Sequence, residues 1–581
     1  MAYKESYVEA VGDNAPGTVS DKVDRHLRCV PDWLTKQAMT RPNQLALEHN
    51  DGTLTYSELL RAASSVSAKL SARGIRRGDR VALLARHGLT FAMVVHGVIQ
   101  VGAVLVPLNT RLTPHELGWQ LNNVDASLVV ADESHTSLAE AAIVAANEQR
   151  QDDEASRRQE IHELTHNSLL WVFAEHDLHP RDGQAHGVEN EELLGHGVQR
   201  ADESLLEYGE GPASLARATR RHATDLTQGV IELDAIHAIV HTSGTTGDPK
   251  GVQITYGNHF WSATSSALQL GLDVHERWLV PMPLFHVGGL SVLMRSLIYG
   301  TTAVLYDTFD ERLVNDALSD SQITLISVVP TMLQRMLADE HRREPGKQLR
   351  CILLGGSGAS EALLRRCQEQ GLPVAQSYGL TEANSQVATL RPTDALSKLG
   401  SSGQPLFPCI VRIVSDDGFE RGPKESGEIW VHSPTVTPGY WRRPDANAKT
   451  FVDGWLRTGD IGYVDEGGYL YVLDRRRDLI VSGGENIYPA EVENALQAYE
   501  GVLEAGVVAV SDAQWGHVPC AFVVLHEGKQ VSVEELEAHC RQRIAGYKVP
   551  KHWRFVDKLP RNASGKLLRR QLSEWLKEQS R

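Results

Sequence analysis

Residues 242–251, TSGTTGDPKG, put four hydroxyls, three glycines and a lysine into one short run. Backbone N–H groups in such a turn are free to meet phosphate oxygens. Gly244 and Gly247 permit positive φ and close approach. Thr242, Ser243, Thr245 and Thr246 add donors, and Lys250 adds charge. The spacing is not that of a Walker A loop, because Pro249 and Gly251 flank Lys250 where GxxxxGK[ST] requires Gly and then Ser or Thr.

Four further stretches carry side chains suited to the same chemistry. QSYGLTEANSQ (376–386) offers Tyr378 to stack on a base, Thr381 to bond a phosphate and Glu382 to hold Mg²⁺ through oxygen. In 454–480, Asp460 follows a Thr-Gly turn and can accept from ribose hydroxyls, with Arg475 to reinforce it. LPRNASGKLLRR (559–570) sets Lys566 after a Ser-Gly turn, on a loop tip where a long cation can swing. PLFHVGGLSVLMRSLIYG (283–300) begins with His286, leaves room for a ring at Gly288 and Gly289, and carries Arg295 among Val292, Leu293, Met294, Leu297 and Ile298. A cation among apolar neighbours is costly unless paired. Either Arg295 snorkels to solvent, or it meets a second carboxylate on the substrate. HELTH (162–166) matches the zinc-protease pattern with Glu163 as base, but it falls in a His-rich polar segment where chance is the simpler explanation.

The elements that position these residues alternate. YSELLRAASSVSAKLSARG has apolar residues at helical spacing and stops at Gly74. RVALLA and SLVVAD are short apolar runs of the parallel-strand kind. DAIHAIVH leads into the 242–251 loop as a strand, and GVQIT leads out. The apolar window 91–108 is broken by His96, Gln100 and Pro107, so it reads as a buried helix, a turn at Gly102 and a buried strand rather than a membrane span. Residues 133–230 are rich in Glu, Arg, Gln and His and read as an exposed helical or partly disordered polar insertion. Near the C-terminus, AEVENALQAY reads as a helix, EAGVVAV and CAFVVL as strands, and Ser532 to Glu535 as the capping box of another helix.

With 581 residues the chain is too long for one core. A net charge of −16 argues against nucleic acid as partner, so any anionic substrate must be held by local cations and N–H groups. The six cysteines form no CxxC pair, which fits a reducing cytoplasm. The N-terminus has no apolar signal region.

The order of these motifs resembles the adenylate-forming superfamily, which includes acyl-CoA synthetases and peptide-synthetase adenylation domains. That resemblance implies a large N-terminal domain of α/β subdomains plus a β-barrel-like subdomain (1–476), then a small mobile α+β C-terminal domain (477–581). The hinge falls at Arg477, where the family usually has Asp or Lys. It implies Mg²⁺ with ATP and CoA as cosubstrates, no nucleic-acid partner and no membrane insertion; homo-oligomerisation is left open. It places the β- and γ-phosphates on 242–251. The adenine goes beside Tyr378 and the GGSGAS turn (Gly355, Gly356, Ser357), the α-phosphate on Thr381 and Mg²⁺ on Glu382. The ribose lies on Asp460 and Arg475, and Lys566 bridges carboxylate and α-phosphate. His286 gates the acyl pocket, with Arg295, Ser291 and Gly355 lining it and Arg295 calling for a dicarboxylic acid. Lys548 and Trp515 are candidates to meet CoA. The competing expectations are a ligase for another aryl or medium-chain acid, a carrier-loading adenylation domain, and a metalloprotease built on HELTH.

Overall fold

The computed structural model describes residues 28–157, 170–173, 229–242, 249–320, 322–356, 359, 361–395, 397–415, 417–474, 479–487, 489–560, 567 and 569–579. Two large sheets dominate the body. One has six strands in the order Lys250–Thr255, Ile236–Thr242, Val104–Pro107, Arg80–Leu84, Leu128–Asp132, Leu170–Phe173, parallel except for the first, antiparallel pair. The other has nine strands, with a parallel centre running from Val374–Leu380 to Leu45–His49 and antiparallel strands at both edges. Parallel strands are covered on both faces, so their sequences are continuously apolar. Val81 to Leu84 and Leu128 to Ala131 accordingly have almost no exposed surface.

Helices Tyr56–Ala72, Leu89–Val101, Tyr256–Leu270 and Val287–Tyr299 share one apolar cluster with strands of both sheets. Their starts are locally encoded: Thr55 with Glu58 and Thr255 with Asn258 close capping boxes. Gly102 ends the Leu89–Val101 helix at φ +73, as the turn before Val104–Pro107 requires. The β-barrel-like subdomain implied by the resemblance is a five-stranded antiparallel sheet between Ile410 and Asp474. Beyond Ile480 a separate five-stranded sheet carries helices Pro489–Gln497 and Val533–Arg543 on one face, and the latter begins at the Ser532 capping box.

Two expectations are corrected. Residues 133–230 are not all insertion: helix Thr136–Arg157 buries Ala139, Ala142, Ile143 and Ala146, and Leu170–Phe173 is the edge strand of the six-stranded sheet. Alanines on a polar helix hid that apolar stripe. The space beside Gly289 is not kept for a ring either, since a Cβ there would lie 2.4 Å from the Pro283 carbonyl oxygen. The residues of HELTH lie outside the described set, as do those of the expected 476/477 boundary. Among the described residues no helix is long and apolar enough to cross a membrane.

Candidate functional site

Four of the motif segments leave the carboxyl ends of parallel strands, where α/β sheets bind ligands. Ile236–Thr242 runs into 243–248, Cys351–Leu354 into Gly355 and Gly356, Val374–Leu380 into the Thr381–Ala383 turn, and Arg277–Val280 into the segment ending at His286. Lys250 pairs with Thr242 across the two strands that flank the 242–251 loop. Lys250 Nζ stands 4.8 Å from the ring centre of Tyr440, and the Tyr440 hydroxyl donates to Glu382 Oε1 at 2.8 Å. Tyr440 was not anticipated; it joins the lysine of one motif to the carboxylate of another across a large sequence gap.

Glu382 is buried, and Thr437 N donates to its backbone carbonyl at 2.8 Å. Asn384, at φ +48, closes the turn by donating its N–H to the Thr381 carbonyl. The Tyr378 hydroxyl donates to Asp460 Oδ2 at 2.6 Å, so these two expected nucleotide residues are already in contact. Among the described residues no group of three or more His, Cys, Asp or Glu side chains is assembled to hold a metal. Nucleotide-bound Mg²⁺ needs only one or two carboxylates alongside phosphates and water, and the buried oxygen donor Glu382 beside Thr381 fits that demand.

The C-terminal unit meets the body beside His286. His286 caps helix Val287–Tyr299 and donates Nε2–H to Glu485 Oε2 at 3.0 Å, while Arg111 bonds Glu485 Oε1. Glu485 follows the Gly483–Gly484 turn between strands Ile480–Ser482 and Glu485–Ile487. Packing around the ring, then the Arg111 charge and His87, lower the pKa of His286. Its side chain keeps 42 % of its accessible surface, so water moderates that shift, but the direction leaves a neutral imidazole at pH 7. His87 accepts from Leu284 N at 2.8 Å, and burial above all takes its pKa down to about 4.

At the other end of the same helix lies Arg295. It does not snorkel; only 2 % of it is exposed. Its Nη2 donates to Ser262 Oγ at 3.0 Å, Ser262 Oγ donates to the Asn384 carbonyl at 2.9 Å, and the guanidinium sits 5.8 Å from the Trp278 ring centre. Among the described residues its Nε has no partner and no carboxylate is within ion-pair distance. His259, pushed well below the usual imidazole range by burial and then by His237 and Arg295, contacts Asn384 Nδ2 at 3.3 Å and His237 at 2.9 Å. Ser291 Oγ is buried and likewise without a hydrogen-bond partner among the described residues. A Cβ on Gly355 would stand 3.1 Å from Ser377 Oγ, and Gly356 holds φ +84 beside Val329.

Lys548 is not placed to meet a ligand, because it is buried between Glu116 and Glu491. Trp515 remains 41 % exposed, over Gly483. Lys566, Arg475, Ser357 and residues 243–247 lie outside the described set.

The model of the AMP-binding enzyme family matches residues 34–441, and that of the AMP-binding enzyme C-terminal domain matches 491–566. The 2-succinylbenzoate–CoA ligase of Geobacillus sp. (strain WCH70) is 42 % identical over 545 residues, covering 94 % of this chain and 97 % of its own. Among solved structures, a double mutant of o-succinylbenzoate CoA synthetase from Bacillus subtilis, bound with its product analogue OSB-NCoA, matches with TM-score 0.77 at 39 % identity, over 94 % of this chain and 98 % of that one. The same Bacillus subtilis enzyme in complex with the acyl-adenylate intermediate OSB-AMP matches with TM-score 0.63 at the same identity and coverage.

Proposed function

This chain belongs to the AMP-binding enzyme family, and on that premise we propose that it ligates 2-succinylbenzoate to CoA through an acyl-adenylate, releasing AMP and pyrophosphate, a step of menaquinone biosynthesis. The relatives' names and coverage support the reaction. The observation that carries the choice of acid is Arg295, buried without a carboxylate among the described residues at the inner end of the helix whose outer end holds His286. A buried guanidinium in that state calls for an anion, and 2-succinylbenzoate brings a second carboxylate remote from the one that reacts.

In the first step the succinyl carboxylate oxygen bonds to the α-phosphorus of ATP and the bond to the pyrophosphate oxygen breaks. Negative charge gathers between two anions. Lys566 bridges the carboxylate and α-phosphate there, and Thr381 donates to the α-phosphate. A cation set where charge develops stabilises the transition state more than the ground state. Residues 242–247 and Lys250 hold the leaving pyrophosphate. Glu382 would hold the Mg²⁺, whose charge would offset that of the triphosphate. Tyr378 and the 355–357 turn bind adenine; Asp460 and Arg475 hold the ribose. In the second step the CoA sulfur bonds to the acyl carbon and AMP leaves. His286 and Glu485 stand at the entrance the thiol must use. We place the division of the chain at 476/477 with the hinge at Arg477, and the protein in the cytoplasm, where ATP and CoA are supplied.

The test is pyrophosphate release from Mg·ATP and CoA with 2-succinylbenzoate, benzoate, succinate or octanoate. Release driven chiefly by 2-succinylbenzoate is expected. Release driven by benzoate or octanoate would leave the adenylation chemistry standing and discard the dicarboxylate, in favour of the aryl or medium-chain alternative.

A further inference from the structure

Three buried charges meet where the C-terminal unit rests on the body. Glu116 belongs to the body helix Pro114–Val124, whereas Lys548 and Glu491 both belong to the C-terminal unit. Lys548 Nζ donates to Glu491 Oε1 at 2.6 Å and to Glu116 Oε1 at 2.8 Å. Each of the three side chains is at least nine-tenths buried. Burial raises the pKa of Glu491; Lys548 opposes and Glu116 adds to that rise.

The two oxygens of Glu116 divide their work. Oε2 closes the capping box of its own helix, accepting from Thr113 N at 2.9 Å and Thr113 Oγ1 at 3.0 Å. Oε1 is the one that faces Lys548. Beside it, Thr113 Oγ1 lies 3.2 Å from the carbonyl oxygen of Arg543, a second contact between body and C-terminal unit. On the same side of the unit, Glu485 reaches His286 and Arg111. Leu559 and Leu567, which flank Lys566 in sequence, pack on the opposite face of the C-terminal sheet, against Val508, Phe522 and Leu572. One unit therefore turns Glu485 toward His286 while the residues that flank Lys566 in sequence sit on its other face. Likeness to one Bacillus subtilis enzyme also differs between its two complexes, 0.77 for the product analogue and 0.63 for the acyl-adenylate.

We propose that Glu116 is a positioning residue for the thioester-forming step: Lys548 keeps Glu491 as a partner wherever the C-terminal unit goes, and takes Glu116 as its second partner only in the arrangement that sets Glu485 against His286. Lys548 and Glu491 move together because they lie in one folded unit, and Glu116 is the contact that is made and broken. The proposal rests on the two-step ligase reading, and the experiment separates the two.

Glu116→Gln keeps the side-chain shape and an oxygen for the capping box but presents an uncharged amide NH2 to Lys548 in place of a carboxylate oxygen. On one preparation, two rates are read: ATP–pyrophosphate exchange driven by 2-succinylbenzoate, and thioester formation from supplied acyl-adenylate and CoA. Thioester formation is expected to fall about tenfold or more, the effect of one lost charged hydrogen bond, with exchange within about twofold of wild type. Glu116→Asp retains the charge but retracts it, and the same split at smaller size is expected. Should either variant lose folded protein, both rates scale with the folded fraction, so their ratio still decides. Equal losses in both rates, or unaffected thioester formation, overturn the proposal. Wild-type protein that shows no exchange with 2-succinylbenzoate overturns the choice of acid instead, and the acid that does drive exchange then carries the same test of Glu116.

Discussion

Among the described residues two cationic side chains are buried, Arg295 at 2 % exposure and Lys548 at 4 %, and they are solved in opposite ways. Lys548 has a carboxylate on each side. Arg295 has a serine hydroxyl, an aromatic face and the neutral His259 nearby, but among the described residues no acid. Burial works against the charged form in both. For Lys548 the two glutamates outweigh it and the pKa is raised; for Arg295 nothing does and the pKa is lowered. The chain carries the counter-charge of the cation that holds parts of itself together. Among the described residues it leaves open the counter-charge of Arg295, which on the proposed reading a substrate brings.

The largest effect that can break this contrast is on Lys548. Lys548→Met leaves Glu116 and Glu491 buried against each other, and removing one partner of a buried ionic group costs about 3–5 kcal/mol. A thermal melt should show that loss at pH 7 and less of it in acid, where Glu491, already raised by burial, takes up a proton. A melt unchanged at pH 7 would make the two cations alike. Arg295→Met should do the reverse. The substrate-free protein keeps or gains stability, because an unpaired buried charge is exchanged for an apolar side chain of similar length. Binding of 2-succinylbenzoate falls by about 2–5 kcal/mol, so KM rises on the order of 30-fold or more. An unchanged KM removes Arg295 from the pocket.

Acid sharpens the contrast through the imidazoles. Burial takes the pKa of His96 down to about 4 and those of His237 and His241 down to about 3, and all three lie in the body with Arg295. Their unfolded value is about 6.5. A depressed folded pKa means that their contribution is complete above pH 6.5 and is lost as pH falls toward the folded values, because the unfolded chain binds protons that the native state refuses. The melting temperature should therefore drop between pH 6.5 and 5, with proton uptake on unfolding. A flat profile over that range would mean these rings protonate in place.

Much of the fold was legible where the signal is local. The Ser532 capping box starts its helix and Gly102 makes its turn. Of the residues that motif order nominated, Tyr378 and Asp460 lie within strands and in contact with each other, Glu382 in the turn after the Tyr378 strand, and His286 at the start of a helix. Partnerships were not legible. Tyr440 with Glu382, Glu485 with Arg111, and Glu116 with Lys548 join side chains 58, 374 and 432 residues apart, and a sequence gives their types without their distances. Gly288 and Gly289 show the opposite failure. Glycine signals missing volume, and only the fold tells whether backbone or ligand fills it; at Gly289 it is the Pro283 carbonyl.

The smallest effect belongs to Ser262, which joins Arg295 to the end of the Thr381–Ala383 turn. Its hydroxyl accepts from Arg295 Nη2 and donates to the Asn384 carbonyl, two residues beyond Glu382. Ser262→Ala removes one neutral bridge, worth about 1 kcal/mol, or about fivefold in a rate or binding constant. Where that factor appears decides what the bridge is for. If Ser262 chiefly aims Arg295, KM for 2-succinylbenzoate rises while KM for ATP stays, and Ser262→Thr, which keeps the hydroxyl, restores it. If it chiefly steadies the Thr381–Glu382 turn, exchange slows with ATP saturating and the acid saturating alike. The first result extends the contrast, because a cation with no acid of its own must be aimed by neutral groups. The second would make Arg295 a prop for the turn, and its missing carboxylate would no longer point to the substrate.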